Sequence, residues 1–276
     1  MSLSETVSRT RTVAEREIDT VVRTRVYLGL ILGFAGVVTA ISWIGGGAKS
    51  GFVPTVVDLL TPVEVIVPVL GFAFGYRTVL GDRRRGELDL LSTYPIDRLP
   101  YIVGVFVGRG VVLAVGTVLS LLPAAVLAYL VSSPESAIFA SHSGADSVVL
   151  YLRFVAVTTA FSLVVLSAAI AVSAVANTVR GAVVLVVILL VVLVAGLDLG
   201  VLGLLGQGVV SEDALTQVLA VSPNSAYRGL VLETVVSAAM GAESWNAASP
   251  VASLVGLVAW LVVSLGIAVL NTPKSR

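Results

Sequence analysis

Six apolar stretches, each long enough with its flanks to cross a lipid bilayer, constrain this chain more than any other feature of its sequence. They cover residues 27–44, 56–76, 100–131, 148–176, 181–205 and 251–270. A helix needs about 20 apolar residues to span the hydrocarbon of a bilayer. Charged residues make up only 12% of the chain, whereas about a quarter is usual in soluble proteins. The sequence therefore predicts an all-α polytopic membrane protein with six transmembrane helices, folded as one domain over residues 1–276.

Basic side chains fall on alternate connections between these stretches. With six spans, fourteen of the 17 basic residues lie on one side, and only Lys49, Arg153 and Arg228 lie on the other. Connections rich in lysine and arginine stay in the cytoplasm, so we expect both termini to be cytoplasmic. A seventh crossing through residues 215–236 would break this alternation. The distribution thus predicts a multi-pass protein of the cell membrane.

Two segments outside the spans have patterns of their own. Residues 1–26 are charged and predict a cytoplasmic amphipathic helix. Its apolar side consists of Ala14, Ile18, Val21 and Val22. Such a helix suits the membrane surface or a partner groove, and a solvated leader is the alternative. Residues 207–250 carry several charges, so they favour short interfacial or re-entrant helices over a further crossing, and residues 272–276 form a cytoplasmic tail.

Side chains that would perform catalysis or hold a metal are scarce. The chain has no cysteine and one histidine, His142, which is expected in a polar loop. A buried Ser-His-Asp triad and a thiolate metal site are therefore excluded. Residues 43–50 resemble a phosphate loop only superficially, because a Walker A motif needs glycine directly before its lysine and again five residues earlier. We expect no catalytic residue, metal or cofactor in this chain, and no nucleic-acid partner.

Two further features lie within the spans. GxxxG pairs, which let helices approach closely in lipid and favour a tightly packed bundle or a dimer, occur at Gly29/Gly33, Gly71/Gly75, Gly104/Gly108 and Gly196/Gly200. Glu64 lies in the outer half of the second span, between Pro62 and Pro68. An ionisable group at this depth is a candidate for a cargo path. The alternative is a carboxyl that lies among headgroups or stays neutral against a neighbouring helix.

The connection between the second and third spans, residues 81–100, is the most charged part of the chain after the N-terminal segment. Asp82 is expected to cap a short amphipathic helix, and Pro95 to end it, because the residue before a proline avoids the α conformation. Asp97 is expected to cap the third span, with Pro100 in its first turn. The pattern predicts an elbow that serves as a docking surface on one side of the membrane.

The sequence of this elbow resembles the cytoplasmic signature of ABC-2 type permeases. The similar part covers residues 85–98 and continues to Gly108 and Arg109. This family often has threonine where the chain has Glu87, and lysine where it has Arg109. Residues 222–227 are similar to the short proline motif that precedes the last span in the family. Within the family, the chain is most similar to the branch that contains the permease of nitrous-oxide-reductase maturation.

The resemblance implies a function. Members of this family form dimers, and each protomer docks through its elbow, the coupling helix, on a separate ATPase subunit that binds ATP and magnesium. This chain would be the permease subunit of an exporter, as a homodimer or with a second similar permease, in contact with membrane lipid. The residues implied in ATPase docking are Arg84, Arg85, Gly86, Glu87, Leu88, Leu91, Tyr94, Pro95, Asp97 and Arg98. An ion-coupled secondary transporter that uses Glu64 and a non-transporting membrane scaffold are the alternatives.

Overall fold

The computed structural model describes residues 3–87, 97–133, 146–207, 217–240 and 249–272. Every regular element within these ranges is a helix. In chain order the α-helices are α1 (Leu3–Arg23), α2 (Arg25–Ile44), α3 (Gly47–Ser50), α4 (Phe52–Gly75), α5 (Thr78–Arg84), α6 (Arg98–Val131), α7 (Val148–Val175), α8 (Val179–Val191), α9 (Leu197–Gly206), α10 (Pro223–Val231), α11 (Ala238–Met240) and α12 (Pro250–Asn271). Two π-helical segments, π1 (Val192–Gly196) and π2 (Leu232–Ser237), join α8 to α9 and α10 to α11.

Six helical stretches are long and apolar enough to cross a membrane, which confirms the predicted number. They are α2, α4 with α5, α6, α7, α8 through α9, and α12. Most boundaries agree with the predicted ones to within about two residues. The second span is the exception, because it begins at Phe52. Glu64 lies in the first half of this 33-residue stretch, the half that the sequence predicts to be the outer one.

The second span begins early because a distant side chain holds its first turn. Gly51 precedes it with a φ of 126°, a conformation that favours glycine. The backbone N–H groups of Phe52 and Val53 donate to the Asp146 carboxylate at 2.9 and 2.7 Å. The first N–H groups of a helix have no acceptor within it, so this carboxylate completes the helix start. The contact joins the beginning of the second span to the beginning of the fourth.

Helix α7 lies at the centre of the bundle. In the most apolar 18-residue stretch of α7, 67% of the residues are buried, whereas the corresponding value for the fifth span is only 11%. Glycines on α4 allow the closest approach to α7: a Cβ added at Gly71 would lie 2.7 Å from the Val165 side chain, and one at Gly75 would overlap Ala169. The fifth span, in contrast, leaves most of its surface for lipid or another protein.

The four GxxxG pairs divide into two that are packed and two that are open. The α4 pair packs against α7, and Gly104 and Gly108 of α6 pack against α1. A Cβ added at Gly29, Gly33 or Gly200 would meet no described atom within 4 Å. The prediction of close helix packing is therefore confirmed for two pairs, while α2 and α9 present theirs on the surface of the chain.

Helix α1 lies against α6, so the partner groove of this amphipathic helix belongs to its own chain. Its buried side consists of Val13, Ala14, Glu17 and Val21. Gly104 and Gly108 form the seat, and a Cβ added at Gly108 would lie 2.5 Å from the backbone oxygen of Ala14. The predicted apolar side was wrong in one respect, because Val22 is 66% exposed and Glu17 is buried. A charged residue thus faces the bundle.

The connection between the second and third spans differs from the prediction at its start. Asp82 caps no helix, because it lies inside α5, which begins at Thr78. Its carboxylate is buried and ion-paired. Asp97 precedes α6 with Pro100 in the first turn, as predicted, although the Asp97 side chain makes no capping hydrogen bond. The helix end predicted at Pro95 lies outside the described residues.

We expect Gly108→Ala to destabilise the protein, because its Cβ would press on the Ala14 backbone oxygen and displace α1. Overpacking of this kind costs about 1–3 kcal/mol. Gly33→Ala is the matched control, since the added Cβ meets nothing within 4 Å and alanine stabilises a helix by about 0.5–1 kcal/mol relative to glycine. Thermal unfolding in detergent measures both changes. Equal unfolding midpoints for the two variants would contradict the proposed seat.

Candidate functional site

The larger of two groups of ion pairs that contain buried carboxylates lies where α1, α5 and α6 meet. We call it the charged corner, and it consists of Arg16, Glu17, Asp82, Arg85, Glu87, Tyr101 and Arg109. It contains three arginines and three carboxylates, so its formal charges balance. Buried charges are tolerated in proteins only when they are paired and hydrogen-bonded. The corner is therefore the place where polar interactions hold these three helices together.

Asp82 is the centre of the corner. Arg16 donates to one oxygen of the Asp82 carboxylate at 2.7 Å, and the Tyr101 hydroxyl donates to the same oxygen at 2.7 Å. Arg85 donates to the other oxygen. Because these three donors come from α1, from α6 and from the residue after α5, one carboxylate connects the N-terminal helix with the ends of two membrane spans.

Arg109 makes the second connection, deeper along α6. Its Nε donates to Glu17 Oε2 at 2.7 Å. Its Nη1 donates to the Tyr27 hydroxyl at 3.0 Å and to the Phe74 carbonyl at 2.6 Å. The arginine is only 8% exposed. A single buried side chain thus contacts α1, α2 and α4.

Glu87 and Arg16 form the rim of the corner. Glu87 accepts hydrogen bonds from Arg85 at 2.6 Å and from Arg16 at 3.1 Å. These bonds, that from Arg85 first, lower the pKa of Glu87 below its ordinary value of 4.5. Burial alone would lower the pKa of Arg16, but Asp82 and Glu17 outweigh burial and raise it. A carboxylate whose pKa is lowered in the folded protein stabilises the fold at every pH above its ordinary pKa. This stabilisation is lost only as the pH falls through the lowered pKa, so the rim stays charged at neutral pH.

A cavity of about 320 Å³ adjoins the corner. Besides all the corner residues except Tyr101, it is lined by Thr20, Thr24, Tyr27, Arg77, Thr78 and Gly81. Four arginines and three carboxylates line this space, and every charged side chain among them except Arg77 is ion-paired within the described ranges.

Two further arginines of the elbow hold the ends of other spans. Arg83 donates to the backbone oxygens of Ala174 in α7 at 2.8 Å and of Asn271 in α12 at 3.2 Å. Arg98 donates to the Leu270 oxygen at 3.4 Å. The last carbonyls of a helix have no partner within it and carry partial negative charge. The elbow is thereby connected to the ends of the fourth and sixth spans.

The structure describes six of the ten residues implied in docking: Arg84, Arg85, Gly86, Glu87, Asp97 and Arg98. It brings Arg85 and Glu87 together in an ion pair. Gly86 lies between them with a φ of 73°, so the chain turns at this residue. Arg84 and Asp97 are exposed. The other four, Leu88, Leu91, Tyr94 and Pro95, lie outside the described residues.

Sequence reasoning missed the residues that complete the corner. The sequence predicts docking roles for Arg85 and Glu87 and a capping role for Asp82, but it gives no role to Arg16, Glu17 or Tyr101. A signal was present in the sequence, because Glu17 lies three residues after Ala14 and four before Val21, on the apolar side of α1. A charge on an apolar side predicts a buried partner. The sequence gives no indication that this partner is on α6.

The second group of charges lies between α4 and α10. Arg228 donates to both oxygens of the Glu64 carboxylate, at 2.8 and 2.7 Å. Glu64 is 2% exposed, whereas the Arg228 side chain is 46% exposed. Paired donors of this kind are the strongest arrangement for arginine and carboxylate. Glu64 is therefore an ion-paired group inside the bundle, and its partner lies 164 residues away in sequence.

The proline motif at residues 222–227 positions this arginine. Ser222 caps α10 by accepting from the Ser225 N–H at 3.3 Å, and Pro223 occupies the first turn. The Ser225 hydroxyl donates to Asp198 in α9 at 2.8 Å. Tyr227 is fully buried and shares a 3.0 Å hydrogen bond with Thr158. The motif thus joins α10 to the fourth and fifth spans, next to the pair with Glu64.

Neither group of charges resembles a metal site. No cluster of three or more histidine, aspartate or glutamate side chains that could hold a metal ion occurs among the described residues. The carboxylates of both groups are instead neutralised by arginines. The arrangement can transmit force between helices and can place charge inside a membrane.

The chain is similar to known proteins over most of its length. A family model described as "ABC-2 family transporter protein" matches residues 11–271. The "Probable ABC transporter permease protein NosY" of Stutzerimonas stutzeri is 31% identical over 266 residues, which cover 92% of this chain and 94% of that protein. The protein of the same name from Pseudomonas aeruginosa is 31% identical over 238 residues, with coverages of 83% and 84%.

Glu17→Ala should destabilise the protein strongly, because it leaves the buried Arg109 guanidinium without its carboxylate. Breaking a buried ion pair in this way costs about 3–5 kcal/mol. Glu15→Ala, on the opposite face of the same helix, removes an exposed ion pair with Arg11 and should cost less than about 1 kcal/mol. Thermal unfolding in detergent tests the difference. Similar losses for both variants would argue against a structural role for the corner.

Proposed function

Because the chain belongs to the ABC-2 family of transporter proteins, we propose that it is the permease subunit of an ATP-binding-cassette exporter in the cell membrane. A separate ATPase subunit supplies the energy by hydrolysing ATP, and this chain carries the cargo path. The observation that supports the proposal most is the charged corner, which joins an exposed elbow to the ends of several spans. Such an arrangement suits a part that receives movement from another protein.

In this proposal, both termini and the corner lie in the cytoplasm. The positive-inside rule supports that orientation. All the arginines of the corner and the elbow are at the same end of the bundle as the ends of the fourth and sixth spans. The opposite end carries Lys49, near the start of the second span. The strong difference in basic charge between the two ends favours a single orientation.

The ATPase docks on the elbow between the second and third spans. Arg84 and Asp97 are exposed there, and Glu87 is half-buried at the rim. Charged groups around an interface steer and orient a partner. The apolar side chains Leu88 and Leu91 would enter a groove on the ATPase, and Tyr94 and Pro95 would set the angle of the elbow.

Movement of the elbow reaches the membrane by two routes. One passes through Asp82 and Tyr101 into α6, and the other passes through Arg83 to the ends of α7 and α12. Helix α1 moves with the corner, because Glu17 and Arg16 fasten it there. A rigid coupling of this kind transmits a displacement without absorbing it.

The chain itself supplies no nucleotide site in this proposal. Residues 43–50 lack the glycines of a Walker A loop, and ATP with magnesium is bound by the partner subunit. A second copy of the chain, or a similar permease, completes the transporter. The open glycine pairs on α2 and α9 support such an assembly, since small residues allow close helix contact in lipid.

Glu64 and Arg228 belong to the cargo path. Ionisable residues inside a membrane span are costly to bury and are therefore candidates for a functional role. The Arg228 side chain also remains half-exposed beside Ser225 and Asp198. The pair also bears on the alternative of an ion-coupled transporter. Because the Glu64 carboxylate is already bound by two nitrogens of Arg228, it is a poor site for a coupling cation, and this alternative is the weaker one.

Docking through the corner is tested by Glu87→Ala. We expect loss of the co-purified ATPase and a drop in ATP-driven transport into vesicles of about tenfold or more, because a charge at an interface rim and its two arginine partners are disturbed. The half-buried position predicts a stability loss below about 1 kcal/mol. Glu15→Ala is the control and should retain both activities. Full retention of the ATPase and of transport by Glu87→Ala would refute the docking role.

The cargo path is tested by Glu64→Gln. We expect the ATPase to remain bound while transport falls about tenfold, because Arg228 loses its charged partner. The exchanged pair Glu64→Arg with Arg228→Glu should restore part of the transport. Unchanged transport in Glu64→Gln would remove the residue from the cargo path. Transport by the chain without any ATPase would instead support the ion-coupled alternative.

A further inference from the structure

A cleft between the end of the second span and the start of the fifth contains two arginines that form no ion pair with any residue that the structure describes. Its volume is about 320 Å³, and it is lined by Arg77, Leu80, Gly81, Arg84, Arg85 and Val179. We call it the arginine cleft. Three of these six residues are arginines and none is acidic.

Two of the three arginines have no role in holding the fold. Arg77 and Arg84 are exposed, and neither side chain makes a hydrogen bond or ion pair within the part of the chain that the structure describes. Their neighbours behave differently. Arg83 donates to the carbonyls of two helix ends, and Arg85 pairs with carboxylates of the charged corner. This short segment thus contains arginines that bind groups of the same chain and exposed arginines that have room to bind another molecule.

The position of the cleft relative to the bilayer indicates what surrounds these charges. Helix α4 has 24 residues, which extend about 36 Å at 1.5 Å per residue. The hydrocarbon of a bilayer is only about 30 Å thick. Arg77 follows the end of α4 and is the first charged residue after Glu64, so it lies where the chain leaves the hydrocarbon. The cleft therefore lies at the level of the lipid headgroups.

The walls of the cleft suit a lipid. Leu80 is 1% exposed and packs with Ala176 and Ala182, and Val179 adds a second apolar surface. Val179 is also the first residue of α8, whose start is capped by Thr178. The start of a helix carries partial positive charge, which adds to that of the arginines. The cleft thus offers positive charge on one side and apolar side chains on the other.

We propose that the arginine cleft binds the phosphate of an anionic phospholipid from the surrounding bilayer. Guanidinium groups form paired hydrogen bonds to phosphate oxygens, and all donors of Arg77 and Arg84 are available. Basic pockets between membrane spans are suited to anionic headgroups. The partly exposed Val179 would contact the apolar part of the same lipid, which gives a lipid an advantage over free phosphate.

An acidic surface of the ATPase is the competing occupant, because Arg84 belongs to the elbow. The position of the cleft favours lipid, since Arg77 closely follows the membrane-spanning helix α4, whereas Arg84 lies seven residues further along the chain. The proposal does not depend on transport or on the ATPase, so the chain alone can test it.

The test measures phosphatidylglycerol bound to the purified full-length chain in detergent, by native mass spectrometry over a range of lipid concentrations. We expect one phosphatidylglycerol per chain at saturation and much weaker binding of phosphatidylcholine. The double variant Arg77→Gln with Arg84→Gln should weaken binding by about twenty-five-fold, because each arginine contributes about fivefold near an anionic headgroup. Arg25→Gln, an exposed arginine at the start of α2 and outside the cleft, is the matched control and should change binding less than twofold.

Each outcome decides the proposal. The double variant Arg77→Lys with Arg84→Lys keeps the charge, and retention of most binding in it would support the site even if the glutamine variant failed to fold. Equal losses in the Arg25→Gln control, or equal binding of phosphatidylcholine, would overturn the site. Displacement of the lipid by millimolar inorganic phosphate would assign the cleft to free phosphate. Unchanged lipid binding in the glutamine variant would overturn the lipid site, and loss of ATPase co-purification by that variant would then assign the cleft to the protein partner.

Discussion

An arginine inside a membrane span is tolerated only where its charge is neutralised, and Arg109 imposes this requirement on the whole basic end of the bundle. Its partner Glu17 comes from a helix that lies outside the spans, and two further acceptors come from α2 and α4. The cost of leaving either charge unpaired is several kcal/mol. The position of the N-terminal helix therefore follows from a charge on α6, and close packing at Gly104 and Gly108 makes the pair possible.

The elbow depends on that arrangement. Asp82 lies between α1 and α6 because Arg16 and Tyr101 both donate to it, and this contact brings the end of the second span to the corner. The arginines that follow then have separate tasks. Arg83 completes the ends of two other spans, whereas Arg84 remains exposed. A segment of a few residues thus combines internal fastening with a surface for external partners.

The spans could be predicted well because lipid imposes one simple rule, a continuous apolar helix of sufficient length. Five of them agree closely with the prediction. The start of the second span could not be predicted, since it depends on Asp146, whose position near Phe52 is a property of the folded chain. The corner was only partly predictable for the same reason. Glu87 and Arg85 are neighbours in sequence, but Glu17 and Arg109 meet only after three helices have packed.

The sequence marked Glu64 correctly as an unusual residue but did not identify the partner of its carboxylate. Its depth in an apolar span marked it as exceptional, and that part of the prediction agrees with its burial. The sequence offered no means to pair it with Arg228, because α10 was expected in a segment of short helices near the membrane surface. The bidentate contact converts a solitary carboxylate into a link between α4 and α10.

The distance in sequence between Glu17 and Arg109, 92 residues, has a consequence for the order in which the protein is made. Chains are synthesised from the N-terminus at about 5–20 residues per second, so α1 leaves the ribosome several seconds before the third span exists. During this interval Glu17 has no guanidinium to bind and α1 has no glycine seat. Docking of the N-terminal helix is therefore a late event in biogenesis, which can begin only after three spans have entered the membrane.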